Sequence, residues 1–550
     1  MITWILSTFS AGVFSLLIYQ RMFYRFFWDD LIYYLKLRMV GKALMSRMQR
    51  GVFTYVDCFL NQAKKTSDKP FVVFENQTLT YQDVDKRSNQ FATVLKTVGN
   101  LKQGDIVALL MSNEPDFICV WFGLSKLGCE VAFLNFNIKT KSLLHCIEIC
   151  GAKSLVVGAG LPKAARVGHL KAAMSMSFLR LCGARSDDNI YIPLPLYHMT
   201  ASLLGIGGCI ELGATCVLKK KFSASHFWKD CVKHNITVFQ YIGELCRYLV
   251  NQPVVPEERT HDVRVAAGSG LRPDVWKEFA RRFGKINIRE AYGLTEASIG
   301  FVNYTSEIGP IGRASYFNKL NMPFELLKFN PQLFEPTRTN TGRCTKANKG
   351  ETGILVAPVS ALNPFLGYAG NELQSEKKLL RDVFREGDMY FNTGDLMLQD
   401  HRDFVYFRDR IGDTFRWKGE NVATTEVSEI LGSLEFLQEV NVYGVSVPGY
   451  EGRAGMAALV LKPDQDLDGK KIYSLLVQSL PPYSWPWFLR IQMAIDVTET
   501  FKQQKGKLVR EGFSPEAVHE PLYFLDLLQK DYICLTPALY NDIISGKIRI

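Results

Sequence analysis

Beyond residue 50, short apolar runs alternate with amphipathic stretches, and this rhythm narrows the possible folds more than any other feature of the chain. Residues 106–111, 130–134, 154–158, 214–218, 236–241, 263–267 and 354–357 read as strands, with 115–127, 224–232 and 272–283 as helices between them. Strands separated by helices return in the same direction, which predicts an α/β fold with largely parallel sheets covered on both faces. At 550 residues the chain exceeds one ordinary core, so more than one globular unit is expected. Apolar residues at 47% and charged residues at 22% are the proportions of a folded chain.

The stretch 409–420 is rich in charge and glycine and follows a strand-like run at 404–407, so it is the expected hinge. It separates a large unit, 51–409, from a small α/β unit, 410–515, built on 439–447, 455–461 and the amphipathic 470–480. Residues 516–550 are left as a C-terminal extension.

Residues 2–19 carry no charge, and as a helix they would run about 27 Å, just enough for a bilayer core. No basic residue precedes them and no small-residue cleavage site follows, which predicts a retained anchor over a removed signal. Arg21, Arg25, Lys36, Arg38, Lys42, Arg47 and Arg50 all follow, placing the rest of the chain in the cytosol by the positive-inside rule. Residues 22–40 interleave aromatic and basic side chains, as a bilayer-surface segment requires. Residues 1–50 are thus expected to be a membrane helix with an interfacial segment; the competing reading packs 2–40 on the protein's own body. The formal charge of +10 favours anionic neighbours. No zinc-finger spacing, RNA-binding aromatic signature or arginine-rich block points to nucleic acid. Twelve cysteines without a C-x-x-C pair argue against a disulfide framework or zinc clip.

Four patterns carry candidate chemistry. Gly160-Leu161-Pro162-Lys163 puts a glycine and an ammonium at a turn, where backbone N–H groups could hold a polyphosphate. Ala291-Tyr292-Gly293-Leu294-Thr295-Glu296 groups an aromatic ring, a glycine, a hydroxyl and a carboxylate, enough to stack a base and ligate Mg²⁺. Asn392-Thr393-Gly394-Asp395 offers a carboxylate at a glycine-assisted turn, suited to the two hydroxyls of a ribose. Asp409-Arg410 opens the hinge segment that ends in Trp417-Lys418-Gly419-Glu420-Asn421. Taken singly, each is also an ordinary turn, helix start or solvated lysine.

In this order, and followed by a lysine near Thr500-Phe501-Lys502, the patterns resemble the adenylate-forming superfamily. The run from Gly412 to Val427 resembles the fatty-acid transport proteins, or very-long-chain acyl-CoA synthetases. That resemblance implies a large AMP-binding domain, ATP and Mg²⁺ as cofactors, and coenzyme A as second substrate. A long-chain or very-long-chain fatty acid would pass to acyl-AMP and then acyl-CoA, coupled to its uptake. Gly160 and Lys163 would belong to the phosphate loop, Tyr292 and Gly293 to the adenine pocket, and Gly268-Ser269-Gly270 to the segment along the adenine. Thr295 and Glu296 would serve the phosphates, with Glu296 on the metal. Asp395 and Arg410 would hold ribose, and Lys418 would belong to the same cofactor set. Tyr241 and Gly243 would line the acyl tunnel, and Gly412 would turn the small domain. Lys502 would orient the carboxylate, with Lys505 and Lys507 as competitors. The implied setting is membrane lipid of the endoplasmic reticulum or plasma membrane, with a possible homodimer.

One departure stands out. The family's Ser/Thr/Gly-rich run before G-L-P-K, and a longer stretch upstream, are absent, and residues 152–159 lead straight into Gly160. Two accounts follow: a form lacking a block of sequence, or a member that binds fatty acid without adenylating it.

Overall fold

The computed structural model describes residues 24–52, 54–134, 147, 150–157, 169–294, 299–330, 335–360, 365, 367, 375–418, 420–497 and 503–550. The expected parallel sheets are there. Ile106–Leu110 lies between Glu130–Phe133 and Ser154–Val157, all parallel. The helix Pro115–Lys126 begins with Pro115 in its first turn, where a missing N–H costs nothing, and Gly128 follows it at φ +74°. A second sheet of eight strands holds Asn189–Ile192, Thr215–Leu218, Val238–Ile242, Val265–Ser269 and Asn287–Gly293 as parallel neighbours. Val238, Phe239, Gln240 and Tyr241 are all buried, because helices cover both faces.

A third sheet departs from expectation: its seven strands, including Thr352–Pro358, Met389–Gln399 and Phe404–Arg410, pair antiparallel throughout. The turn between the last two spans only four residues, too few for the crossover a parallel return needs.

The small unit is a five-stranded sheet, and residues 516–550 are part of it. Leu522–Asp526 and Asp531–Cys534 are its last two strands. Phe524, Tyr532 and Ile543 share one core with Phe415, Trp417 and Val442. The extension expected from sequence therefore completes the small unit.

The N-terminal segment is described from residue 24. Residues 2–19 lie outside the described residues, and among the described residues no helix is long and apolar enough to cross a membrane. The helix Phe27–Gln49 packs on the protein's own body. Near its start Asp30 is buried and accepts from Arg313 Nε at 2.7 Å, Arg313 Nη2 at 2.9 Å and Tyr304 Oη at 2.5 Å. The Arg313 guanidinium lies over the rings of Phe26 and Phe404, and Tyr33 stacks on Tyr304. Near its end Arg47 donates to both oxygens of Glu211, from Nη2 to Oε1 at 2.9 Å.

The described cysteines form no disulfide, and all but Cys534 are buried.

Candidate functional site

Three neighbouring parallel strands of the eight-stranded sheet, Val238–Ile242, Val265–Ser269 and Asn287–Gly293, end together. Gly268 pairs with Tyr241 on one side and with Glu290 on the other. The glycines are steric requirements. A Cβ on Gly268 would stand 2.1 Å from the Tyr241 carbonyl oxygen, and one on Gly243 would stand 1.8 Å from that of Gly270. The expected adenine segment, Gly268-Ser269-Gly270, and the expected tunnel residues, Tyr241 and Gly243, are thus one packed unit. Tyr241 is fully buried.

Beneath that unit lies a carboxyl group that sequence reasoning passed over. Glu290 is buried and accepts from Tyr241 Oη at 2.6 Å, Gly270 N at 2.5 Å and Leu271 N at 3.2 Å. Burial pushes its pKa up to about 8, against the opposing pull of those three donors. Folded protein therefore holds a proton that the unfolded chain, titrating near 4.5, has released. Stability conferred by this group is complete below about pH 4.5 and is lost as pH rises towards 8. The expected slope is about 1.4 kcal/mol per pH unit for this group alone. Urea unfolding across that window should show the slope in wild type and a flatter line in Glu290→Gln; equal slopes would remove Glu290 as the cause.

Two residues beyond Glu290 the same strand delivers Tyr292. Its hydroxyl donates to Asp395 Oδ2 at 2.5 Å, and Asp395 faces Arg410 across the antiparallel ladder, Nε to Oδ1 at 3.5 Å. Asp395 is 4% exposed and the Arg410 side chain 49%, so the pair joins the interior to solvent. Burial and the adjacent carboxylate push the Tyr292 phenol well above its ordinary range. Asp395 stands on a strand, not on the expected turn: Gly394 adopts φ +78° where the pairing with Thr352–Pro358 slips. Ring, carboxylate and guanidinium thus meet beyond the carboxyl ends of parallel strands, where open α/β sheets bind ligands. An aromatic face can stack a base, and a carboxylate beside a cation can accept from vicinal hydroxyls.

The hinge is less exposed than its charge suggested. Asp409 is buried and accepts from Thr424 N at 2.6 Å and Thr424 Oγ1 at 3.0 Å, while Lys505 Nζ donates to Thr424 Oγ1 at 2.5 Å. Burial lowers the Lys505 pKa, partly offset by Asp409 and Asp413; burial raises that of Asp409, partly offset by Lys505. Lys507 is exposed and stands 3.9 Å from both Asp496 and Glu511. Lys418 sits at φ +50° with its ammonium over Trp417 and Trp487 of the small unit, taking its contacts there and not from Asp395. A second link joins the units: Arg247, on the helix that starts at Gly243, reaches Glu439 Oε1 at 2.9 Å and the Gln438 carbonyl at 3.3 Å.

Gly160, Lys163, Thr295, Glu296 and Lys502 lie outside the described residues. Among the described residues no cluster of three or more acidic, histidine or cysteine side chains is placed to hold a metal ion. A cation not singled out in the sequence stands beside the end of the strand Asn287–Gly293: Lys171 donates to the Leu294 carbonyl at 2.8 Å. Nothing but its place one turn into an apolar helix could have marked it.

These layers make up the fold of adenylate-forming enzymes. A benzoate CoA ligase from Burkholderia xenovorans LB400 superposes with a TM-score of 0.69 over 83% of this chain and 100% of its own, at 18% identity. The anthranilate CoA ligase AuaEII, solved with anthranoyl-AMP, superposes at 0.70 over 84% and 97%, at 17% identity. The AMP-binding enzyme family matches residues 59–159 and 158–321. Within that class the chain belongs to the long-chain fatty acid transport protein family. It is 48% identical to long-chain fatty acid transport protein 6 of Mus musculus, covering 100% of both chains, and 44% identical to protein 2 of Rattus norvegicus, covering 95% and 96%. The alignment with the mouse protein has 619 positions against 550 residues here, which leaves 69 without a counterpart. The family match divides at 158–159, immediately before Gly160.

Proposed function

We propose that this chain is a membrane-associated acid–CoA ligase for long-chain and very-long-chain fatty acids. The convergence of Tyr292, Asp395 and Arg410 at the strand ends carries this reading. ATP binds with adenine along Gly268-Ser269-Gly270 and Tyr292, and with ribose on Asp395 and Arg410. Gly160 and Lys163 hold its phosphates, with Thr295 beside them and Glu296 on Mg²⁺. The fatty acid carboxylate attacks the α-phosphorus to give acyl-AMP and pyrophosphate, and coenzyme A thiol then releases acyl-CoA and AMP. Fixed cations and N–H dipoles stabilise the charge that develops on the transferring oxygens. Lys502 orients the carboxylate; Lys505, already beside Asp409 and Asp413, is the alternative donor. The relatives' names support the fatty acid substrate and a role in uptake. The charge pattern of the first 50 residues supports a body on the cytosolic side of the endoplasmic reticulum or plasma membrane.

A second reading, fatty acid binding without turnover, is favoured by the 69 missing positions and the division of the family match beside Gly160. Titration with AMP tests the nucleotide site under either reading, because AMP makes little demand on the loop for the outer phosphates. Asp395→Ala should weaken AMP by about 10- to 150-fold, the worth of charge-assisted hydrogen bonds to a carboxylate. Equal AMP affinity in wild type and variant would remove Asp395 from the ribose site.

A further inference from the structure

A helix on a globular body ordinarily shows one apolar stripe, turned to the core. Phe27–Gln49 has two. Its inner side carries Asp30 and Tyr33, buried against the large unit. On the opposite side Trp28, Ile32, Leu35 and Met39 are 53%, 50%, 49% and 62% exposed. Spacings of four, three and four align these side chains along one line of the helix. At about 100° per residue, Lys36 flanks that line on one side and Arg38 and Lys42 on the other, while Arg25 lies just before the helix, 3.9 Å from Glu307. All four bases are exposed, and Asp29, the acidic residue of this surface, lies outside the stripe next to Lys36.

We infer that this outward stripe is a docking surface for an anionic lipid bilayer. The inference rests on the membrane association proposed above and adds which face makes contact and how the body is held. Apolar side chains rimmed by bases on both sides have the make-up of a helix lying in a lipid headgroup layer. The stripe cannot roll inward, since Asp30–Arg313 and Arg47–Glu211 fix the helix near both ends. The adjoining helix Tyr316–Asn321 packs on it through Phe317, against Phe27 and Tyr34, with Tyr316 and Leu320 exposed. The uncharged run 2–19 ends seven residues before the helix Phe27–Gln49 in the sequence, so a bilayer that took up that run would be within reach of the stripe. A second copy is the poorer occupant, because a twofold contact would set these four bases against their own duplicates.

The test uses the full chain in vesicles of phosphatidylcholine and phosphatidylserine with brominated acyl chains. Trp28 emission is isolated by subtracting a Trp28→Phe protein. Brominated lipid should quench it, and iodide in the water should not. Paired substitutions Leu35→Glu and Met39→Glu should lower partitioning of this face by more than about a hundredfold and so reverse both results. Their outward positions leave the core intact, read as an unchanged unfolding temperature. If wild-type protein floats with the vesicles while Trp28 stays open to iodide, the docking surface is wrong and the membrane reading stands. If it does not float at all, the membrane reading falls and takes this one with it. If the paired substitutions dissociate an oligomer and leave Trp28 quenching unchanged, a second copy covers the stripe and the inference is overturned.

Discussion

Inserting before Gly160 the Ser/Thr/Gly-rich run and upstream stretch that this chain lacks should raise fatty-acid-dependent ATP–pyrophosphate exchange by at least about a thousandfold. The reason is a count of donors. A polyphosphate is held by backbone N–H groups, hydroxyls and an ammonium, each worth about 1.5–3 kcal/mol when the acceptor is charged. Removing three of them costs about 4.5–9 kcal/mol, which is three to six decades in binding of the triphosphate. AMP affinity should barely change on insertion, since Tyr292, Asp395 and Arg410 already stand together. Native chain that exchanges as fast as the restored one would show that the short loop suffices, and binding without turnover would be the wrong reading. No gain on restoration, with AMP still bound, would place the defect elsewhere.

Arg313→Ala should lower the unfolding free energy by about 3–5 kcal/mol, because it strands the Asp30 carboxylate in a buried site. Both side chains of the pair are 7% exposed, so water cannot replace the lost partner. The cation also lies over the rings of Phe26 and Phe404, and both contacts go with it. Removing both charges in Asp30→Asn/Arg313→Met should cost less than the single change, because no unpaired charge remains. Urea unfolding of the three proteins decides: a single variant within about 1 kcal/mol of wild type would mean that the helix is not held by this pair.

The parallel part of the fold was legible because its strands sit between helices and are buried on both faces. Ile106–Leu110, Ser154–Val157 and Thr215–Leu218 fall within one or two residues of the apolar runs that mark them. The antiparallel sheet was not, since Thr352–Pro358 is as apolar as a parallel strand and only its partners reveal its direction. Residues 516–550 carried a usable signal: two short apolar runs around Leu528-Gln529-Lys530 are a hairpin pattern, obscured by their distance from the hinge. Tyr292, Asp395 and Arg410 were recoverable from the order of the motifs, while Glu290 was not. A carboxylate on a strand looks the same in sequence whether it meets water or three buried donors. The segment 22–40 was legible only in part for a related reason: aromatic and basic neighbours suit a bilayer surface and a cation-lined protein interface equally well, and its helix has one side, with Asp30 and Tyr33, buried.

The contact between Gly243 and Gly270 has a mechanical corollary. Gly270 closes the segment 268–270 at the strand ends, Gly243 begins a helix, and that helix carries Arg247 to Glu439 and Gln438 in the small unit. No side chain at the glycine contact can yield, so a displacement of segment 268–270 would pass along the helix to the smaller lobe as along a push-rod.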